Sequence, residues 1–325
     1  MSRIALADIR AAAGRIEGRM VRTPVRRSDW LSDITGADVH LKLEVVQPTS
    51  SYKIRGAFNA ALRVHERAVG GEPPRLVTAS AGNHGRALAC AARALRLPLT
   101  VFIAADAPRA KVDAIRTTGA ELRECADYDA AERQAKEFAA GGGGLFISPY
   151  AHPDVIAGAG TIGLELFAEL PSIDTVVVPV GGGGLISGIA IAVKALSPST
   201  RVVGVEVAAS CPFTKSLAAG HLVTIAVGRS LADGLTGNLD PDTMTLDIVR
   251  ELVDQIVVID EPLLQRALEA VVTNEHLVIE GAAAVGPAAI LSGRIDLKGT
   301  VAVILTGANI DRDRLVHVLT GSAIC

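Results

Sequence analysis

Cysteine is scarce and scattered: Cys90, Cys125, Cys211 and Cys325 lie far apart, with no CxxC spacing. That excludes a disulfide scaffold and a zinc framework, and it is the usage expected of reduced thiols in a cytoplasmic protein. No apolar run approaches the roughly 18 residues that span a bilayer, and Ala323-Ile324-Cys325 is no lipidation signal. An excess of one charge is also missing. The 32 Lys and Arg against 35 Asp and Glu give a net charge of −3, with both signs interspersed. No basic stripe is left for nucleic acid or an anionic membrane, so the expected partner is a small molecule. There is no repeat of fixed period and no linker long enough for independently moving domains.

What is present is α/β patterning. The 325 residues suffice for one large core or two compact units. Short β-branched runs bounded by Gly or Pro alternate with alanine-rich stretches of helical length, the pattern of parallel sheets with crossover helices. Strands are expected at 76–78, 99–104, 145–148, 175–180, 201–207, 255–259 and 300–305. The series from 75 to 146 predicts a small domain, residues 74–148, inserted into a large one made of 1–73 and 149–325. The first twenty residues carry Arg3, Arg10, Arg15 and Arg19, as a transit peptide would. Asp8, Glu17 and the helical spacing of Ile4, Ala5, Ile9, Ala12 and Ile16 instead predict a docked amphipathic helix.

Two tetraglycine runs stand in different contexts. Gly141 to Gly144 follows a helical pattern, 129–140, and serves to terminate it through positive φ. Gly181 to Gly184 follows the apolar strand Val176-Val177-Val178-Pro179-Val180 and precedes a helical pattern at 185–196. Backbone N–H groups and a helix N-terminus would converge there as a phosphate cradle; a structural tight turn is the alternative. A dinucleotide site would use Glu206 on the ribose, but Ser187 stands where its third glycine belongs and no Walker lysine follows.

Lysine is rare: Lys42, Lys53, Lys111, Lys136, Lys194, Lys215 and Lys298 are the full set. Most read as solvated, with Lys111, Lys136 and Lys194 in helical patterns. Lys53 instead lies in Pro48-Thr49-Ser50-Ser51-Tyr52-Lys53-Ile54-Arg55-Gly56-Ala57, where small polar residues lead into a helix. That setting suits an imine-forming amine as well as a phosphate-binding or surface one. Thr78-Ala79-Ser80-Ala81-Gly82-Asn83-His84-Gly85 follows a strand and opens a helix. It is either a loop whose amides hold a carboxylate or an ordinary N-cap by Ser80 or Asn83. Leu305-Thr306-Gly307-Ala308-Asn309 ends a strand in a hydroxyl and a turn, at the kind of carboxyl end where open α/β sheets bind ligands.

In this order, over nearly the whole chain, these four elements resemble the serine/threonine dehydratase and serine racemase family, fold-type II pyridoxal phosphate enzymes with the tryptophan synthase β-like fold. The family motif Thr-Gly-Ser-Phe-Lys-x-Arg-Gly-Ala is matched by Thr49 to Ala57. The resemblance implies that Lys53 binds the cofactor covalently, beside Tyr52. Ser80, Ala81, Gly82, Asn83 and His84 would receive the substrate carboxylate, with Asn83 also at the cofactor's ring hydroxyl. Gly181, Gly182, Gly183 and Gly184 would hold the phosphate, and Thr306 would face the pyridine nitrogen. The departures are Ser50 for glycine, Tyr52 for phenylalanine, Ala159 for glutamine and Ala308 for glycine, and they bear on substrate. Some relatives bind a divalent cation through a Glu and an Asp at this point of the chain. Glu206 is retained here, but Val207 to Pro212 holds no acidic partner, so no metal is expected.

The implied activity is conversion of a threonine- or serine-type 3-hydroxy amino acid to a 2-keto acid and ammonia, with Lys53 as the base at Cα and the cofactor phosphate as proton source for the departing hydroxyl. A specialised substrate is the alternative, either 3-hydroxyaspartate or a hydroxylated diamino acid such as one derived from hydroxyectoine. So is serine racemase activity, although Ala81 stands where related racemases carry a serine. A non-catalytic ligand sensor would not need Lys53, and a nicotinamide dehydrogenase is the remaining rival. The resemblance also implies a homodimer, and a chain ending at Cys325 is expected to lack the C-terminal regulatory domain of biosynthetic threonine dehydratases.

Overall fold

A computed structural model describes residues 4–68 and 71–321. Expectations about residues 1–3 and the last four residues lie outside it. Among the described residues, ten strands form two sheets. In chain order they are β1 (Val25–Arg27), β2 (Asp38–Leu43), β3 (Leu76–Ala79), β4 (Leu99–Ala104), β5 (Glu121–Cys125), β6 (Leu145–Phe146), β7 (Thr175–Pro179), β8 (Arg201–Val207), β9 (Gln255–Ile259) and β10 (Thr300–Leu305). One sheet runs β1-β2-β10-β7-β8-β9, parallel except for the antiparallel edge β1; the other runs β5-β4-β3-β6, all parallel.

All seven strands expected from β-branched runs are present. The three that escaped sequence reading lack such a run. Strand β1 is three residues long, and β2 is Asp-Val-His-Leu-Lys-Leu, where Val39, Leu41 and Leu43 on one face alternate with His40 and Lys42 on the other. The sequence Glu-Leu-Arg-Glu-Cys makes β5 a polar edge, as edges exposed to water tend to be. One lysine reading is corrected here. Lys42 is not solvated: its side chain is fully buried, and Nζ donates to the Thr23 carbonyl and to Glu165, both at 2.6 Å. A buried ammonium persists only with such partners.

Helices Pro153–Glu169 and Gly184–Leu196 pack side by side on the six-stranded sheet, and helix Lys53–Arg67 lies against the first of them. The N-terminal helix Leu6–Ile16 docks on them through buried Ile9, Ala12 and Ile16, as its spacing predicts. Helices Glu261–Glu275 and Gly281–Leu291 cover the other face and enclose the largest apolar cluster with Val177, Val203, Val205 and Val303. The four-stranded sheet packs Leu76, Leu88, Val101 and Ile115 into a second core shared with Ile54, Ala57 and Phe58 of helix Lys53–Arg67. Helix Tyr128–Phe138 runs into a wide turn, Ala139–Gly143, where Gly142 at φ 86° ends it as expected. The carboxyl ends of β3 and β4 in one sheet, and of β7 and β10 in the other, lead into segments that line a single cavity.

Candidate active site

That cavity has a volume of about 500 Å³. Tyr52, Lys53, Ser80, Ala81, Gly82, Asn83, His84, Gly181, Gly182, Gly183, Gly184 and Thr306 all line it, so the residues expected to hold cofactor and substrate converge there.

Lys53 is the first residue of its helix, and the loop before it is stitched to the loop after β10. Tyr52 N donates to the Thr306 carbonyl at 3.0 Å, and Ala308 N to that of Ser50 at 2.9 Å. The lysine ammonium has one hydrogen-bond acceptor, the Pro149 carbonyl at 2.7 Å. Burial lowers its pKa to about 8 against the opposing pull of the Glu280 carboxylate, so a sizeable neutral fraction exists near pH 8. Ser50 sits at φ 54°, the left-handed region, which is why the related motif carries glycine there. It does not line the cavity, which corrects the expectation that Ser50 alters the substrate's surroundings; Tyr52 does line it.

The loop after β3 is not an ordinary side-chain cap. Helix Asn83–Leu95 starts from Gly82, with no side chain accepting from its first amides, and Ser80 Oγ accepts only from Gly82 N, at 3.2 Å. Those first-turn amides have no partner within the helix and suit an anion. Asn83 turns its side chain elsewhere. Its amide donates to both oxygens of Glu280 at 2.8 and 3.0 Å, and its oxygen accepts from Asn309 at 2.7 Å, which in turn accepts from Arg86 at 2.6 Å. Burial, with Lys53's charge adding to it, pushes the His84 imidazole down to about 3, so it is neutral.

The glycine run opens helix Gly184–Leu196, and Gly183, its N-cap at φ 84°, takes a conformation that a side chain would strain. Thr306 Oγ1 is buried with no hydrogen-bond partner, an expense that a ligand acceptor or donor would remove. Glu206, the acid a dinucleotide or a cation would need, is already used. Its carboxylate accepts from Phe213 N, Thr214 N and Thr214 Oγ1 at 2.6 to 2.9 Å and so caps helix Pro212–Ala219.

Sequence reading missed Glu280, Tyr150 and residues 233–238, which also line the cavity. Burial raises Glu280 to about 7. Its signal was a lone acid in the apolar stretch Leu277-Val278-Ile279-Glu280-Gly281-Ala282, because an isolated buried carboxylate is rare without a task.

The family profile for pyridoxal-phosphate dependent enzymes matches residues 16–307. The chain belongs to this family. It is 38% identical to the L-threonine ammonia-lyase of Thermotoga maritima, over 97% of this chain and 78% of that protein. It is 37% identical to the catabolic L-threonine dehydratase of Escherichia coli, over 97% of this chain and 96% of that protein. Among solved structures it superposes on maize serine racemase with a TM-score of 0.89 at 32% identity, covering 98% of this chain and 97% of that one. The site of this pyridoxal phosphate-dependent enzyme fits its cofactor. An enclosed amine, a helix start rich in free amides and an unpartnered buried hydroxyl supply complements for an aldehyde, a phosphate and a ring nitrogen.

Proposed function

We propose that this enzyme is an ammonia-lyase for a small 3-hydroxy amino acid of the threonine or serine type, releasing a 2-keto acid and ammonia. The observation that carries this reading is Lys53: a cavity-lining amine whose pKa falls to about 8, on a helix start facing the amide-rich loop and the glycine run. Lys53 holds the cofactor and then serves as the base at Cα. Bound pyridoxal phosphate supplies an electron sink for the charge left at that carbon. The loop from Ser80 to His84 receives the substrate carboxylate, with Asn83 also beside the cofactor ring. Gly181 to Gly184 hold the phosphate, and Thr306 faces the pyridine nitrogen with Tyr52 alongside. Lys53 takes the Cα proton, the electron pair left there forms the new C=C bond as the Cβ–O bond breaks, and the hydroxyl leaves as water with a proton that the phosphate held by Gly181 to Gly184 would supply. Cβ then regains a proton and water displaces the nitrogen as ammonia, so no oxidant is needed.

A hydroxyl at Thr306, unlike a carboxylate, does not keep a ring nitrogen protonated, which favours prompt elimination over a long-lived carbanion. Residues 74–148 form a small domain inserted into a large one of 1–73 and 149–325, a division supported by the two separate sheets. A cytoplasmic homodimer is the assembly and location we propose. No described helix is long and apolar enough to cross a membrane. The test is to incubate purified holoprotein with L-threonine and L-serine and measure keto acid and ammonia. Equal amounts of the two products are expected, together with a visible absorbance band abolished by borohydride; a band without keto acid from any 3-hydroxy amino acid would sink the proposal.

A further inference from the structure

The cavity extends beyond Lys53 to a wall supplied by the four-stranded sheet's last helix, Tyr128–Phe138, and the charges on that wall are unbalanced. Glu132 lines the cavity with its side chain only 17% exposed. Lys136 Nζ bridges two carboxylates, lying 3.0 Å from the buried Glu132 Oε1 and donating a hydrogen bond to Asp240. Asp240 is tied back to the glycine run through Tyr150, whose hydroxyl accepts from Asp240 N at 3.0 Å and whose ring lies against Gly182. Two carboxylates therefore share one ammonium at the edge of the phosphate cradle.

We infer that Glu132, backed by Asp240, is a specificity-determining anionic subsite, and that the preferred substrate carries a side-chain amine beyond its hydroxylated carbon: a 2,4-diamino-3-hydroxy acid rather than threonine or 3-hydroxyaspartate. The inference rests on the ammonia-lyase reading and names its substrate class. Glu132 and Asp240 together carry one more negative charge than Lys136 neutralises, so a substrate ammonium beside Glu132 supplies a second cation, and a charge-assisted bond in an enclosed site outweighs a neutral one. Burial first, and Asp240 second, raise the Glu132 pKa against the opposing pull of Lys136. A second substrate carboxylate fares worse. The Lys and Arg side chains lining the cavity, among the described residues, are Lys53 and Lys111, and Lys111 is already paired with Asp233 at 3.1 Å, which also holds Arg314 at 2.9 Å. Attraction for one charge and repulsion of the other together make a selective site.

The test uses holoenzyme and two readouts. Binding of L-2,4-diaminobutyrate and L-aspartate, neither of which has a hydroxyl to eliminate, is measured by calorimetry. Release of keto acid is compared for 2,4-diamino-3-hydroxybutanoate, L-threonine and L-threo-3-hydroxyaspartate. We expect diaminobutyrate to bind more tightly than aspartate, and kcat/KM to rank the diamino substrate first. In Glu132→Gln the diamino-to-hydroxyaspartate ratio should fall about tenfold to a hundredfold, the worth of one charged hydrogen bond, and Glu132→Asp should restore part of it. A merely structural role would lower both substrates together and leave the ratio unchanged. Aspartate binding as tightly as diaminobutyrate, or a ratio unmoved by Glu132→Gln, overturns the inference. Preferential diaminobutyrate binding with no keto acid from any substrate supports the subsite and instead refutes the ammonia-lyase reading.

Discussion

Lys53 and Arg55 stand two residues apart on one helix, each within a buried charge cluster, and the clusters differ in one respect. Arg55, 1% exposed, spends its donors on Glu44, at 2.8 Å to each oxygen, and on Glu165 at 2.6 and 2.8 Å, with Thr161 at 3.1 Å. Lys42 completes Glu165, and Thr23 Oγ1 completes Glu44. Burial works against the Glu44 carboxylate, but the adjoining Arg55 guanidinium outweighs it and holds the pKa below the usual range. Around Lys53 the opposite holds. The ammonium has one carbonyl, Thr306 Oγ1 has nothing, and burial moves Lys53 down to about 8 and Glu280 up to about 7. A saturated cluster fixes structure, whereas an unsaturated one, kept at some expense of stability, is where a ligand completes the bonding.

The sharpest way to break this comparison is to cross the two positions. Lys53→Ala should cost at least about 10³-fold in keto-acid release, the scale of a lost base, while urea unfolding of the apoprotein stays near wild type. Arg55→Met should reverse the pattern. It strands Glu44 and Glu165 without their guanidinium, a loss of about 3–5 kcal/mol in unfolding free energy, with far less effect per folded molecule on turnover. Equal loss of stability in both variants would mean that Lys53 is structural too.

A smaller effect lies in the coupling within the open cluster. Only a neutral Lys53 can capture an aldehyde. Because its pKa falls from 10.5 to about 8, uptake of pyridoxal phosphate by apoprotein should rise with pH and level off a little above 8, whereas a solvated lysine would keep gaining to beyond 10. The Glu280 carboxylate is the charge that holds Lys53 up, so Glu280→Gln should move the plateau to lower pH. Stopped-flow absorbance across pH 6 to 10 reads both, and a plateau unmoved by the substitution would remove Glu280 from the site's electrostatics.

The open cluster was largely legible in the sequence and the closed one was not. Lys53, the Ser80–His84 loop, the glycine run and Thr306 are local features, glycine, small hydroxyls and helix starts at strand ends; singly, the first three also fit a surface amine, an N-cap and a tight turn, and their order along the chain made the family resemblance that selected them. Seven parallel strands were legible locally as well, through β-branched runs that stay apolar on both faces. Lys42, Glu44, Arg55 and Glu165 are ordinary charges until the fold brings together residues up to 123 positions apart. Glu280 and Glu132 are likewise site residues only in three dimensions. Ser50 shows the converse: a departure read as chemical is a matter of φ.

The smallest expected effect concerns which proton-handling groups the open cluster contains. Inverting a Cα centre takes a base on one face and an acid on the other. In the proposed mechanism Lys53 provides the first, and on the loop that would hold the substrate carboxylate the cavity presents the methyl of Ala81, which can neither give nor take a proton. His84, neutral with its pKa pushed down to about 3, is no acid in its place. The wild-type enzyme should therefore form negligible D-serine from L-serine while releasing keto acid. Ala81→Ser adds one hydroxyl where Ser80 already shows that the loop tolerates it, and it should raise D-serine from background to a small fraction of the elimination rate, read by chiral chromatography. Rapid D-serine formation by the unaltered protein would show that some other group donates on that face, and the open cluster would then hold more chemistry than its hydrogen bonds reveal.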